Sequence, residues 1–453
     1  MRGAEGEDRR REDRDGPAGR PLDWDLGDSR DQVAYAVTVR ILVIGSGGRE
    51  HAIVKRLLAD ESRHEILCAS GNAGIAEDVD TAIVRESDGP AVVALAQRFH
   101  PDLTVIGPEA PLVAGVADAL RAAGFAVFGP DAAAARLEGS KQFAKTVMQS
   151  AGVPTGAALA VSDEAEAADA MDRLGAPYVV KADGLAAGKG VLVTEDPDAA
   201  MAHARTWIER GQRVLFEEYL DGEEVSLFFL SDGTRVAPLS PAQDYKRLLD
   251  GDAGPNTGGM GAYSPLPWLP ADFVSTVQRT IAQPTVDDLR RRGCPFVGLL
   301  YCGLIVTAQG VRVIEFNARF GDPETQVVLP RLQGEFGELL RQTAVGELRD
   351  VPAFSDACAI TVVLASEGYP SGPVTGREIT GLDAAAAVPG IQIVHAATAR
   401  EDGRLVATGG RVLNVSATAE TFPLARAAAY AALSRIRLAG SQHRTDIGSK
   451  VSK

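Results

Sequence analysis

The 453-residue sequence holds only four cysteines, and they stand singly at positions 68, 294, 302 and 358. With no Cys-x-x-Cys pair and no histidine at ligand spacing, a zinc ribbon and a disulfide scaffold are both excluded. The cysteines are expected as reduced, buried small hydrophobes, which suits a cytoplasmic setting. No apolar run approaches the ~18 residues of a membrane span, and the N-terminus has no basic region leading into an apolar core. Positive charge is in short supply too, with 46 Lys+Arg against 61 Asp+Glu for a net charge of −15. Nucleic acid and anionic membrane both demand clustered Lys/Arg, so neither is expected as a partner. A small phosphorylated substrate needs only a local group of cations and amides and stays open. Also missing are a Gly-x-Ser-x-Gly elbow and a His-Glu-x-x-His helix. His51 reads as a helix-start or structural residue rather than a base, and the other five histidines have no partner at motif spacing.

What is present is an ordinary globular composition, 45% hydrophobic and 24% charged, with 48 glycines. The length suggests about three domains at roughly 100–200 residues each. Residues 1–38 mix both charge signs with Gly and Pro and few apolar residues, and are expected to be a disordered or untranslated extension. Translation is expected to begin at Val37 or Val39 from a non-AUG codon, a reading that intact mass of the native protein would test. From 39 to 138, apolar runs such as Ile41–Ile44 alternate with helical patterns, which predicts a doubly wound parallel-sheet α/β domain. Residues 139–335 form a second region, and 340–448 a third, with strands at 359–366, 391–398 and 411–419 and a helix from Pro423.

Three glycine loops carry the chemical signal. Gly45-Ser46-Gly47-Gly48-Arg49-Glu50 follows a strand and opens a helix, but Glu50 stands where a dinucleotide fingerprint needs its third glycine. An anion site at the helix start is therefore expected over NAD binding. In Lys181-Ala182-Asp183-Gly184-Leu185-Ala186-Ala187-Gly188-Lys189-Gly190 the glycine-to-lysine spacing is one residue short of a Walker A motif, and a strand follows where a P-loop opens a helix. The reading is a flap between antiparallel strands, whose amides close over phosphates while Lys181 reaches in. The 251–265 stretch is expected as a loop, and Pro255 to Gly261 within it, with Asn256, Thr257, Gly258 and Gly259 at its centre, reads either as a flexible surface connection or, more sharply, as a nest of amides for a carboxylate or phosphate.

The stretch 313–324, VIEFNARFGDPE, supplies hard donors. Strict alternation puts Ile314 and Phe316 on one face and Glu315, Asn317 and Arg319 on the other, each about 7 Å from the next. Glu315 and Asn317 suit Mg²⁺ or Mn²⁺, and Arg319 a phosphoryl group in transfer.

KADGLAAGKG at 181–190, FEEYLDGEE at 216–224 and IEFNARFGDPE at 314–324 together resemble the ATP-grasp superfamily. IGSGGREHA (44–52), GNAG (71–74), GPEAPLVAG (107–115), LEGSK (137–141), GPNTGGMGAYSP (254–265) and HRTDIG (443–448) resemble, within it, the phosphoribosylamine–glycine ligase (glycinamide ribonucleotide synthetase) family. The resemblance runs from about Val39 to Gly448. The segment before Glu217 is shorter than in the family, which bears on the edge of the nucleotide lid. The resemblance implies a central ATP-grasp fold (139–335) with a flap subdomain at about 158–228, and a C-terminal α+β domain. It implies ligation of glycine to 5-phosphoribosylamine through a glycyl phosphate, with ATP as co-substrate. Lys141, Lys181 and the 184–190 flap would then hold ATP phosphates, Glu217, Glu218, Tyr219 and Leu220 the adenine, and Glu224 the ribose. Glu315 and Asn317 would hold the metal, and Arg319 would act with Lys181 on the transferring group. Gly48, Asn72, Gly74, Asp244, Lys246, residues 256–259, Arg319, Asp322 and Glu324 would face the other substrates. The resemblance further implies a monomer, with transient contact to the enzyme supplying phosphoribosylamine. An ATP-grasp ligase for another acid or amine is the nearest alternative.

Overall fold

A computed structural model describes residues 39–184 and 190–452, all within one compact unit. The 1–38 extension and flap residues Leu185, Ala186, Ala187, Gly188 and Lys189 lie outside the described residues.

The first region is a five-stranded sheet of β1 (Val39–Gly45), β2 (His64–Ser70), β3 (Asp80–Thr81), β4 (Leu103–Ile106) and β5 (Val127–Phe128), all parallel in the order β3-β2-β1-β4-β5. Helices cover both faces, so β1 must be apolar on both sides, and Ile41 through Ile44 are each 0% exposed. Strand order reverses between β1 and β4. Their C-terminal ends, Gly45 and Ile106, open the crevice where such sheets bind ligands.

The next sheet is antiparallel and joins β6 (Ala158–Val161), β7 (Tyr178–Ala182), β8 (Val191–Thr194) and β9 (Val214–Glu217) in the order β6-β9-β7-β8. The second glycine loop links the antiparallel β7 and β8, the topology expected of a flap. A second four-stranded sheet comprises β10 (Glu223–Asp232), β11 (Val236–Pro238), β16 (Val297–Thr307) and β17 (Gly310–Asn317). Between them in the chain lie β12 (Gln243–Asp244), β13 (Arg247–Leu249), β14 (Ala253–Asn256) and β15 (Gly261–Ser264). The glycine-rich 251–265 stretch is thus largely two strands, where sequence suggested one long loop. β12 and β15 join the C-terminal strands Cys358–Ala365, Arg411–Ala419 and Ile391–His395 in a single sheet, which ties the central region to the third.

Two further differences bear on the site. The pattern at 138–152 suggests one helix, but Ser140 divides it into Ala132–Gly139 and Lys141–Ala151. Ser140 is extended, and its Oγ accepts from the Phe143 N–H as an N-cap, so Lys141 stands in a first helical turn. On β17, Glu315 pairs with Gly303 while Val313 pairs with Leu304, leaving Ile314 as a bulge. Val313 and Phe316 are therefore the buried pair in the core, where strict alternation predicted Ile314 and Phe316. The bulge switches which parity faces inward and delivers Glu315 and Asn317 to the same side as Tyr301 and Gly303. β16 and β17 form a hairpin whose two-residue loop is Ala308–Gln309, with Gly310 (φ +111°) opening β17.

Candidate functional site

The described part of the flap sheet and the helix Lys141–Ala151 gather three lysines. Lys181 ends β7 buried, and its Nζ lies 3.1 Å from Glu217 Oε2 and donates to the Ile314 carbonyl at 3.3 Å. Lys145, one helical turn after Lys141, places its own Nζ 2.9 Å from the same carboxylate oxygen and donates to Thr155 Oγ1 and the Gly156 carbonyl. Burial would raise the Glu217 carboxyl, yet the two ammonium groups hold it below its ordinary value. Burial pulls Lys145 down. Lys141 donates to the Gly184 carbonyl at 3.2 Å, and Asp183 accepts from the Lys141 N–H at 2.7 Å, which pins the flap's base to that helix start. Beyond Glu217, Glu218 accepts from the Ala157 N–H at 3.0 Å and Tyr219 is exposed.

Glu315 and Asn317 stand side by side on β17. Among the described residues nothing donates a hydrogen bond to the Glu315 carboxylate, so its surroundings act through burial and charge. Burial would raise its carboxyl, but Lys246, Lys181, Lys141 and Arg319 together hold it below the usual range. A carboxylate beside an amide oxygen and within a ring of cations would suit a hard divalent cation. Arg319 is fixed from the N-terminal region, with Nη2 3.0 Å from Glu138 Oε1 and Nε donating to Glu109 Oε2 at 3.3 Å. Glu138 also accepts from the Ala318 N–H at 2.7 Å. Against the pull of burial, Glu138 and Glu109 raise the Arg319 pKa and keep it cationic.

Opposite lies an acid-rich half. Asp244 is half-buried, but its Oδ1 is shielded from solvent and has no hydrogen-bond partner among the described residues, and burial together with nearby Glu324 pushes its pKa well up. Glu324 is 4% exposed and accepts from Ser226 Oγ (3.0 Å) and Tyr301 OH (3.1 Å). Lys246 binds Glu224, and that carboxylate with Tyr301 and Glu315 outweighs burial to hold the ammonium charged. Asp322 pairs with Arg411 at 3.0 Å and accepts from Gln326 at 2.8 Å. A side chain at Gly259 would meet Asp244 Oδ1 at 2.7 Å and Pro323 at 2.4 Å, so this half closes tightly around its carboxylates.

Other expected positions are spent differently. The amide nest at 257–259 does not form. The Thr257 N–H donates to the Lys246 carbonyl, Gly258 to Tyr369 OH and Gly259 to Thr257 Oγ1, while Asn256 Oδ1 accepts from Arg247. Asn72 uses its whole amide as a clamp, donating to the Ser46 and His395 carbonyls and accepting from the Gly74 and Ile75 N–H groups. Gly74 makes room for two rings, since a Cβ there would lie 2.4 Å from His395 and 2.5 Å from His51. His51, read as structural, accepts at Nδ1 from the His395 N–H (2.8 Å) and meets Asp78 at 2.9 Å. At Gly48 a Cβ would meet the Asn414 and Gln326 amides. In the first loop Glu50 supplies its own anion, its carboxylate accepting from the Gly47 N–H at 2.6 Å. A Cβ on Gly107 would lie 2.0 Å from that carboxylate, so the place of a pyrophosphate is filled.

Sequence reasoning missed Lys145, Glu109, Glu138, Ser226, Tyr301 and Arg411. Their partners lie far along the chain, and only Lys145, four residues after Lys141, had a local signal. Away from the site, Asp60, His64 and Glu335 also cluster, but Asp60 accepts from the Phe336 and Gly337 N–H groups and Glu335 from those of Glu61 and Ser62, a reciprocal helix cap.

The model of the phosphoribosylglycinamide synthetase N domain matches residues 39–138, that of the ATP-grasp (A) domain 139–325, and that of the C domain 359–450. The chain is 63% identical over 417 residues to a phosphoribosylamine–glycine ligase of Leifsonia xyli, covering 91% of this chain and all of that one. It is 57% identical over 418 residues to its counterpart in Streptomyces coelicolor, again 91% of this chain and all of the other. The crystal structure of phosphoribosylamine–glycine ligase from Thermotoga maritima superposes with TM-score 0.79 at 32% identity, over 90% of this chain and all of that one.

Proposed function

Because the chain belongs to the phosphoribosylglycinamide synthetase family, we infer that its central site joins glycine to 5-phosphoribosylamine, giving glycinamide ribonucleotide with ATP cleaved to ADP and phosphate. This is an ATP-dependent ligase of purine biosynthesis, built on an ATP-grasp fold. The observation that carries the reading at residue level is the division of one site into a lysine-rich half and a carboxylate-rich half, with Glu315 and Asn317 between them.

A carboxylate is a poor acyl donor, so the glycine carboxylate first attacks the ATP γ-phosphorus and forms glycyl phosphate. The ribosylamine nitrogen then attacks the carbonyl carbon, and phosphate leaves with the carboxylate oxygen it acquired. Lys141 and Lys181 hold the ATP phosphates, and the 184–190 flap covers them. Residues 217–220 carry the adenine and Glu224 the ribose. Arg319, braced by Glu138 and Glu109, meets the charge that builds on the transferring phosphoryl group. Glu315 and Asn317 would hold a divalent cation, Mg²⁺ or Mn²⁺, which when bound would neutralise phosphate charge. Asp244, Lys246, Asp322 and Glu324 face the amine-bearing substrates, with Gly48 and Gly259 giving close approach. Asn72, Gly74 and residues 256–258 contribute by shaping that wall.

Action as a monomer belongs to the same reading. Among the described residues no helix is long and apolar enough to cross a membrane, which agrees with a cytoplasmic enzyme. The lability of phosphoribosylamine favours transient contact with the enzyme that makes it. Phosphate release from ATP, with glycine and phosphoribosylamine omitted in turn, tests the assignment. Release should need glycine, and equal turnover without it would sink the reading, as would turnover with another acid in glycine's place.

A further inference from the structure

The terminal HRTDIG motif at 443–448 has no part in the chemistry above, yet Arg444 is 1% exposed. Its guanidinium donates to Asp446 through Nε (2.7 Å) and Nη2 (2.6 Å), and through Nη1 to Asp252 Oδ1 (2.8 Å) and the Arg247 carbonyl (3.1 Å). It also lies over the Tyr245 ring, 4.8 Å from the centroid. Asp446 accepts in turn from the Gly251 N–H at 2.9 Å, and Asp250 accepts from the Thr445 N–H at 2.8 Å. Tyr245 OH accepts from the Gly448 N–H at 3.0 Å. The tail therefore buckles the turn at 250–252, where Gly251 (φ +67°) and Asp252 (φ +55°) are left-handed.

Tyr245 and Arg247 are the two chain neighbours of Lys246, and Arg444 touches both. We propose that Arg444 is a positioning residue for Lys246, holding the Arg247 carbonyl on one side and the Tyr245 ring on the other so that the ammonium group projects onto Glu224 at the substrate half of the site. This rests on the assignment of Lys246 to that half. Lysine at 444 keeps the charge but not the planar fork that spans two carboxylates and a carbonyl, so Arg444→Lys should loosen the buckle without leaving Asp446 and Asp252 unneutralised. Tyr245→Phe is the milder cut and removes only the acceptor for Gly448.

The test is a double-mutant cycle on the full chain, reading glycine-dependent phosphate release at saturating ATP. R444K should lower kcat/KM for glycine about tenfold, and Y245F about twofold to threefold, with ADP affinity unchanged within twofold. In a K246A background neither change should cost anything further, because their effect runs through Lys246. Wild-type kcat/KM in folded R444K or Y245F would overturn the proposal, as would the same loss in both backgrounds. Wild-type turnover by K246A would instead overturn the assignment of Lys246 itself.

Discussion

The two halves of the site are built from opposite charges. On the side proposed for the nucleotide, Lys181 and Lys145 hold the Glu217 carboxyl below its ordinary value, and Lys246, Lys181, Lys141 and Arg319 do the same for Glu315. On the other side Asp244, Glu324, Asp322 and Glu224 meet Lys246 and Arg411, and Asp244 is pushed up. The first half is preorganised for a polyanion, which brings the negative charge that the lysines lack. The second keeps a shielded carboxyl in need of a cation, and a substrate with an amino group brings one. The −15 net charge of the chain conceals this division entirely.

Removing the group at the centre should have the largest effect. Glu315→Ala should lower metal-dependent turnover by roughly 10²–10³-fold, the size seen when a preorganised electrostatic contact is lost, with the circular dichroism spectrum unchanged. Activity within a few-fold of wild type would take Glu315 out of the metal site.

Asp244→Asn should come next, lowering kcat/KM for the amine substrates about a hundredfold, the worth of a charged hydrogen bond at ~2.7 kcal/mol. Its stability signature has the opposite sign. A carboxyl whose folded pKa is raised stabilises the fold below its unfolded value of about 3.9, and that stability is lost as pH rises through the folded value. The ligand-free D244N protein should therefore gain stability at neutral pH, relative to wild type, in urea titrations. A loss there would mean that Asp244 already has a cationic partner.

On the lysine side, Lys145→Met should raise the KM for ATP about tenfold, one charge-assisted contact at ~1.4 kcal/mol, through the freed Glu217 carboxylate and its hold on Lys181. The KM for glycine should move less than twofold. Equal changes in both would erase the distinction between the halves. Smallest in activity is Asn72→Ala, which cuts a clamp that bonds only backbone groups behind the substrate wall. It should cost about 2–3 kcal/mol of stability in denaturant titrations from lost hydrogen bonds, with turnover near wild type at 25 °C.

Much of this was legible in the chain. The alternation of strand and helix, the flap between two strands and the Glu-x-Asn pair were all visible because each is a local pattern. Glu50 in place of a glycine also spoke from the sequence, and the structure shows its carboxylate filling the space it denies to a pyrophosphate. What stayed hidden depends on partners distant in sequence. The bulge at Ile314 answers to the pairing with β16, so alternation named the wrong inward residue. Lys145 acquires its meaning from Glu217, and Arg319 from Glu109 and Glu138. Glycines 258 and 259 looked like an open nest because the sequence does not reveal that Tyr369 and Thr257 already take their N–H groups.

In the proposed reaction glycine attacks ATP before the amine arrives. Glycine labelled with ¹⁸O in its carboxylate tests this directly, by mass spectrometry of the phosphate released with phosphoribosylamine present. Passage through glycyl phosphate predicts one ¹⁸O in each phosphate. Unlabelled phosphate, formed at the same rate as glycinamide ribonucleotide, would contradict it.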